Sequence, residues 1–91
     1  MTHELKTWPL YFHDVVHSGK NFELRKNDRE FRVGDTVRLK EYFPAGYGAY
    51  ASSSVGYYTG AFAEFEITYI LKNAVEFGLQ EGYCILGLKP I

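Results

Sequence analysis

The 91-residue chain contains a single cysteine, Cys84, and this scarcity excludes two common ways of stabilising a small protein. One thiol cannot form an internal disulfide framework, and it cannot supply a structural zinc site of four cysteines. No stretch approaches the roughly 18 consecutive apolar residues that a membrane-spanning helix needs. The segment Met1–Lys6 also lacks the basic region followed by an apolar run that marks a signal peptide. We therefore expect a cytoplasmic protein without a membrane partner.

The chain also lacks a strong charge of either sign, because its formal net charge is −1. A strong nucleic-acid footprint normally gives a clearly basic chain, so total charge alone favours a solvated surface of mixed sign. The distribution is nevertheless uneven. Residues 20–40 contain seven Lys and Arg against four Asp and Glu, whereas residues 41–91 contain two against five. The basic first half predicts attraction for an anion, including a nucleic-acid phosphate.

Aromatic residues are abundant, with eight Tyr, seven Phe and one Trp. Large rings bury much area per residue, which suits the thin core of a small β-rich domain. A helix is predicted to begin at Pro9 and to end before Gly19. Its predicted apolar face consists of Leu10, Phe12, Val15 and Val16. Strands are predicted where apolar and polar residues alternate, at 3–7, 21–25, 36–43, 61–71 and 83–88. These elements predict a single α+β domain over residues 1–91, with a small, mostly antiparallel β-barrel and one short N-terminal helix.

The alternation also predicts which side chains face the core. On the second strand we expect Phe22 and Leu24 to face the core, and Asn21, Glu23 and Arg25 to face away. Arg38 and Lys40 are expected to point away from the core on the next strand. The predicted core side chains of the two longer strands are Val37, Leu39, Phe65, Ile67, Tyr69 and Leu71. Residues 44–60 combine small residues with tyrosines, and we expect a long flexible loop there.

The segment from Gly19 to Arg29 holds the densest set of chemically useful side chains. Glu23 and Arg25 are two positions apart on one strand and therefore share a face, where they either form a surface ion pair or together grip a polar ligand. Lys20 either caps the helix or binds phosphate. The three histidines lack metal-ligand spacing, Cys84 is expected to be a packed thiol, and we predict neither a metal nor a cofactor.

Several motifs carry a family resemblance. They are His3-Glu4-Leu5-Lys6, Ser18-Gly19-Lys20, Phe22-Glu23-Leu24-Arg25-Lys26-Asn27-Asp28-Arg29 and Phe31-x-Val33-Gly34-Asp35, followed by Lys40-Glu41-Tyr42 and Glu81-Gly82-Tyr83. Together they resemble a small family of bacterial and phage proteins in the ASCH/PUA-like superfamily. The resemblance covers nearly the whole chain, apart from residues 44–58, which look longer than the pattern. It implies a PUA-like β-barrel with a cleft beside the strand that carries Glu23 and Arg25.

The wider superfamily is associated with RNA binding and, in one branch, with amide hydrolysis of acylated cytidine. Lys20 matches the catalytic lysine of that branch, but Glu23 stands where the branch has a threonine. The leading hypothesis is therefore an RNA- or nucleotide-binding module, either non-enzymatic or with an unproven activity. Its predicted ligand-binding residues are Lys20, Glu23, Arg25, Lys26, Arg29, Tyr42 and Tyr83.

Two alternatives stay open at this point. The first is a small amidohydrolase acting on a modified nucleoside, in which Lys20 would be the base or nucleophile and Glu23 or Glu81 a proton carrier. The second is a protein-interaction module that uses the tyrosine-bearing loop at 44–60. The sequence identifies neither a ligand nor an oligomeric state.

Overall fold

A computed structural model describes residues 1–47 and 55–91 of the chain. The elements in chain order are β1 (Thr2–Thr7), α1 (Pro9–His17), β2 (Phe22–Lys26), β3 (Thr36–Phe43), β4 (Tyr57–Lys72), a one-turn 3-10 helix (Val75–Phe77) and β5 (Tyr83–Pro90). Among the described residues the strands form one sheet in the order β1-β3-β4-β5-β2, so β1 and β2 are its edge strands there. One short α-helix and five strands within residues 1–47 and 55–91 confirm the prediction of a mostly-β α+β fold.

The chain divides into two compact units. The first unit comprises Met1–His3, Asn21–Val37 and Glu64–Ile91, and the second comprises Glu4–Lys20 and Arg38–Ala63. The first unit therefore holds β2, β5 and the second half of β4, and the second unit holds α1 and most of β1 and β3.

Helix α1 of the second unit begins and ends where the sequence predicts. Pro9 occupies the first turn, and Gly19 has a φ of +75°, a left-handed conformation that glycine adopts without steric cost. The buried stripe is narrower than predicted, because only Phe12 and Val15 of the expected apolar face are buried. Leu10 and Val16 are exposed.

Strand β3 follows its predicted pattern. Val37 and Leu39 are fully buried, while Arg38 and Lys40, which alternate with them, are only half-buried. A strand alternates its side chains between two faces, so Arg38 and Lys40 lie on the face opposite the core.

The prediction for β2 is wrong about which face is buried. Glu23 is 3% exposed, whereas Phe22 and Leu24 are 45% and 56% exposed. β2 pairs antiparallel with β5, placing Glu23 opposite Leu86, which is fully buried. Directly opposite residues share a face, so the carboxylate lies on the core face and the two apolar side chains lie on the other face.

Strand β4 changes face along its length. Phe65 and Ile67 are buried as predicted, but Tyr69 is 63% exposed and Leu71 is 39% exposed. The register against β5 shifts between Ile67 and Tyr69. A bulge of one residue at Thr68 moves every later side chain to the opposite face, which explains why the prediction fails for Tyr69 and Leu71.

The predicted loop at 44–60 is shorter than expected at its C-terminal end. β4 begins at Tyr57, so residues 57–60 are strand. Tyr57, Tyr58 and Thr59 have the aromatic and β-branched side chains that favour strands, and this preference overrides the neighbouring small residues. The remainder of the predicted loop includes residues 48–54, which lie outside the described residues.

Candidate nucleic-acid interface

In the second unit, strands β1, β3 and β4 display cations and rings on the side of the sheet opposite the core. Buried and exposed residues alternate along β1, and Leu5 and Leu39 mark the core side of β1 and β3. The intervening positions therefore lie on the other side. We call this surface the basic–aromatic face, and it consists of Glu4, Lys6, Arg38, Lys40, Tyr42, Tyr58 and Phe62.

Each cation of the basic–aromatic face lies over a ring. Lys6 Nζ is 4.6 Å from the centroid of the Tyr42 ring, and Lys40 Nζ is 4.5 Å from that of Tyr58. The guanidinium carbon of Arg38 is 5.3 Å from the centroid of Phe62. These distances are within the range of cation–π attraction, so cations and rings are interleaved across the three strands.

One carboxylate lies among these cations. Arg38 Nη1 donates to Glu4 Oε2 at 2.9 Å, and Lys40 Nζ is 3.7 Å from Glu4 Oε1. The Glu4 side chain is 52% exposed, so this bridge is solvated and worth no more than about 1 kcal/mol. Three cations against one carboxylate leave the face positive, and an anion with several oxygens can compete with Glu4 for Arg38 and Lys40.

The rings of the basic–aromatic face have defined positions. The Tyr42 and Tyr58 centroids are 5.0 Å apart at 62°, an edge-to-face pair. Gly56 abuts the Tyr42 hydroxyl, and a β-carbon at position 56 would overlap that oxygen. Tyr58 and Phe62 remain 45% and 56% exposed, so solvent reaches both side chains beside the cations that lie over them.

A second ring cluster lies where β3 ends and β4 begins. The Phe43 and Tyr57 rings stack at 5.3 Å and 13°, and Tyr47 contacts both Phe43 and Trp8 edge to face at 5.7 Å. Thr59 Oγ1 also donates to Glu41 Oε1 at 2.8 Å. These contacts fix Tyr57 and Thr59, and thereby position Tyr58 between them.

The predicted Glu23–Arg25 pair forms in the first unit. Arg25 Nε donates to Glu23 Oε2 at 3.2 Å, and the side chains are 23% and 5% exposed respectively. The pair is therefore largely buried on the core face of β2, and not the solvated surface pair that was one of the two expectations.

The other predicted residues are spread over both units. Lys20 belongs to the second unit, with its Nζ 5.4 Å from the Tyr11 ring centroid, whereas Glu23 and Arg25 belong to the first. Lys26, Arg29 and Glu81 are exposed, and Tyr83 is half-buried opposite Lys26. Tyr42 alone of the predicted set lies on the basic–aromatic face. That Lys20, Glu23 and Arg25 line one cleft stays a prediction.

A buried pair in the first unit was not predicted from the sequence. His3 is 5% exposed, and its Nε2 lies 2.8 Å from Asp35 Oδ2. The Phe31 ring meets the imidazole edge to face at 4.8 Å. The hydrogen bond with His3 lowers the pKa of Asp35 against the opposing effect of burial, and the backbone N–H of Arg32 also donates to this carboxylate, at 3.1 Å.

Cys84 is fully buried on β5, which confirms the expectation of a packed thiol. Burial raises the pKa of this thiol, and so disfavours the reactive thiolate. Within residues 1–47 and 55–91, no three His, Cys, Asp or Glu side chains gather as metal ligands. In the same residues, no helix has the length and apolar character to cross a membrane.

The signal for the basic–aromatic face was present in the sequence as the Arg38-x-Lys40-x-Tyr42 alternation. It was not recognised because β1 and the first residues of β4 contribute the other half of the face, and the sequence does not show that these strands flank β3. Residues 2–88 match the family model described as a domain of unknown function, DUF3850, and the chain belongs to that family. No curated protein matches the chain.

Proposed function

We propose that this protein binds single-stranded RNA or nucleotides through the basic–aromatic face. The observation that carries the proposal is the interleaving of three cations with three rings on one side of β1, β3 and β4. Proteins that bind single strands combine positive charge for the backbone with aromatic side chains on which bases stack. This surface brings both features together.

The exposed rings favour unpaired bases over a duplex. Bases in a duplex are stacked on one another, whereas those in single strands and free nucleotides can stack on a protein ring. Tyr58 and Phe62 present such rings, and each stacked base contributes about 1–3 kcal/mol. A PUA-like barrel, which the resemblance implies, is consistent with RNA as the ligand, and we include that barrel in the proposal.

The cations predict modest, salt-dependent binding. Lys6, Arg38 and Lys40 can neutralise about three phosphates, and single-strand binding loses affinity with a slope near −0.7 per phosphate on logarithmic axes. We therefore expect a slope of about −2 for the wild-type protein. Each cation that is removed should bring the slope closer to zero by about 0.7.

The test is a fluorescence-anisotropy titration of labelled eight-nucleotide RNA at two salt concentrations. Tyr58→Leu keeps an apolar side chain but removes the ring, and we expect a loss of affinity of about 5- to 150-fold from one lost stacking contact. Lys40→Gln should weaken the affinity and bring the salt slope closer to zero by about 0.7. Lys89→Gln is the matched control, because Lys89 is an exposed lysine of the first unit and its loss should change little.

A fourth variant tests the site that the sequence predicted. Lys26→Gln combined with Arg29→Gln removes two exposed cations of that predicted set. If this double variant loses binding while Tyr58→Leu and Lys40→Gln keep it, the basic–aromatic face is not the interface. Absence of RNA and nucleotide binding even at low salt would overturn the proposed function itself.

A further inference from the structure

The two edge strands of the sheet differ in how they are protected. The exposed positions of β1 are Thr2, Glu4 and Lys6, and charged side chains on an edge discourage pairing with another chain. β2 instead exposes Phe22 and Leu24. An edge strand with exposed apolar residues is a template for adding a further strand.

The hydrogen-bond register shows which β2 backbone groups point outward. Leu88 N–H donates to Asn21 O and Asn27 N–H donates to Gly82 O, both at 2.8 Å. In an antiparallel ladder alternate residues bond to the same neighbour, so positions 21, 23, 25 and 27 face β5. The N–H and C=O of Leu24, at the centre of the strand, therefore point to the outer side of β2.

We propose that β2 of one copy pairs antiparallel with β2 of a second copy, about a two-fold axis at Leu24. This register places Leu24 opposite Leu24 of the second copy, and the outward N–H and C=O groups of these two residues bond to each other. The resulting contact is isologous, so it closes as a dimer and does not continue into a filament.

The side chains of β2 are complementary to themselves in this register. Glu23 lies opposite Arg25 of the second copy, so each carboxylate gains a second guanidinium neighbour. Phe22 lies opposite Lys26, which sets a cation beside a ring on the exposed face. Every side chain of β2 therefore lies opposite a compatible one: an opposite charge, an apolar side chain, or a cation beside a ring. This complementarity identifies a second copy of the chain as the partner of the β2 edge.

Neighbouring strands extend the apolar surface next to this edge. On the exposed face Leu24, Ile85 and Leu71 form one row across β2, β5 and β4, and the row beside it places Gly87 between Phe22 and Tyr69. Pairing of two β2 strands would join these rows from both copies into one apolar band. The small contact predicts a weak dimer, so it should be studied at concentrations up to about 1 mM.

The test is sedimentation velocity of the full chain over a concentration series. Leu24→Pro removes an outward N–H that β5 does not use, together with the leucine side chain, and proline is tolerated on edge strands, so it should weaken the dimer at least about tenfold. Leu24→Lys, which keeps the N–H but adds a charge at the axis, is the second variant in case the proline variant does not fold. Leu71→Lys is the matched control, because it places the same charge on the same face but away from the edge.

Amide hydrogen exchange reads the pairing directly. Exchange at Leu24 should slow as the protein concentration rises, whereas exchange at Leu71 should not. A protein that stays monomeric up to about 1 mM would overturn the proposal. A dimer that survives both Leu24 variants and is lost in Leu71→Lys would also overturn it, since the copies would then pack by their faces. These outcomes do not depend on RNA binding, so they are independent of the proposed function.

Discussion

Replacing Arg25 with leucine tests whether the ion pair on β2 stabilises the fold. The Glu23 side chain is 5% exposed, and Arg25 Nε donates to its Oε2 at 3.2 Å. Leucine at position 25 would withdraw this donor from a carboxylate that water hardly reaches. Removing one partner of a fully buried ion pair costs about 3–5 kcal/mol, because the remaining charge is desolvated without compensation.

The exposure of the two side chains sets the expected magnitudes. Arg25 is 23% exposed, so water partly reaches the pair and we lower the expected cost of Arg25→Leu to about 2–3 kcal/mol. Glu23→Leu should cost only about 1 kcal/mol, because the guanidinium it leaves behind can turn its donors to solvent. The double leucine variant should lie within about 1 kcal/mol of wild type, since neither charge then remains buried.

Urea denaturation at neutral pH, followed by far-UV circular dichroism, measures all four proteins of this cycle. The expected coupling free energy between positions 23 and 25 is about 3–4 kcal/mol, because the two single costs add to that value and the double variant is close to wild type. An Arg25→Leu variant within about 0.5 kcal/mol of wild type would refute the reasoning, as would a double variant that is as unstable as Arg25→Leu. The same proteins should bind RNA equally well, because the pair lies outside the basic–aromatic face.

Two further predictions concern the core and the acid response. Leu39→Ala should lower the free energy of unfolding by about 2–5 kcal/mol in urea denaturation, because Leu39 is fully buried. Leu24→Ala should lower it by less than about 1 kcal/mol, because Leu24 is 56% exposed. Equal costs would instead support the orientation of β2 that was predicted from the sequence. The pKa of Asp35 is lowered in the folded protein, so as the pH falls this carboxylate takes up a proton first in the unfolded chain. The stabilisation that the Asp35 carboxylate gives the folded state is therefore lost as the pH falls below about 3.8. The difference in melting temperature between wild type and Asp35→Asn should therefore shrink from pH 5 to pH 2, and a constant difference would contradict this assignment.

Local chemistry was enough to predict the elements of the fold. Pro9 and Gly19 bracket α1 because their backbone preferences act within one turn of the chain. The alternation of Val37 and Leu39 with charged residues predicted both the bounds and the buried face of β3. Each of these predictions depends on residues that are neighbours in the sequence, which is why each is confirmed.

The orientation of β2 could not be predicted in the same way. A period of two shows which side chains share a face, but it does not show which face meets the core. Hydrophobicity normally decides this, and it favoured Phe22 and Leu24. The opposite face is buried in the structure, because the ion pair with Arg25 makes burial of the Glu23 carboxylate tolerable. The bulge at Thr68 similarly reverses β4, and no local residue pattern announced it.

Contacts between distant parts of the chain lay beyond the sequence. His3 and Asp35 are 32 residues apart, and each alone is compatible with an exposed position on a strand or turn. The basic–aromatic face depends in the same way on the order of strands, because Lys6 and Tyr58 reach it from elements on either side of β3. Pairing order is a property of the whole sheet, so residue spacing within one strand cannot show it.

The low net charge of the chain is a poor guide to what its surface can bind. Strand alternation sorts side chains, and on β3 it sends Val37 and Leu39 to the core while Arg38 and Lys40 go to the opposite side. A formal net charge of −1 therefore coexists with a surface on which three cations face one carboxylate. Attraction for an anion depends on the charges within about 10 Å, because salt screens those farther away. The local arrangement of charges and rings, more than their total, is thus the property that supports binding of a single strand.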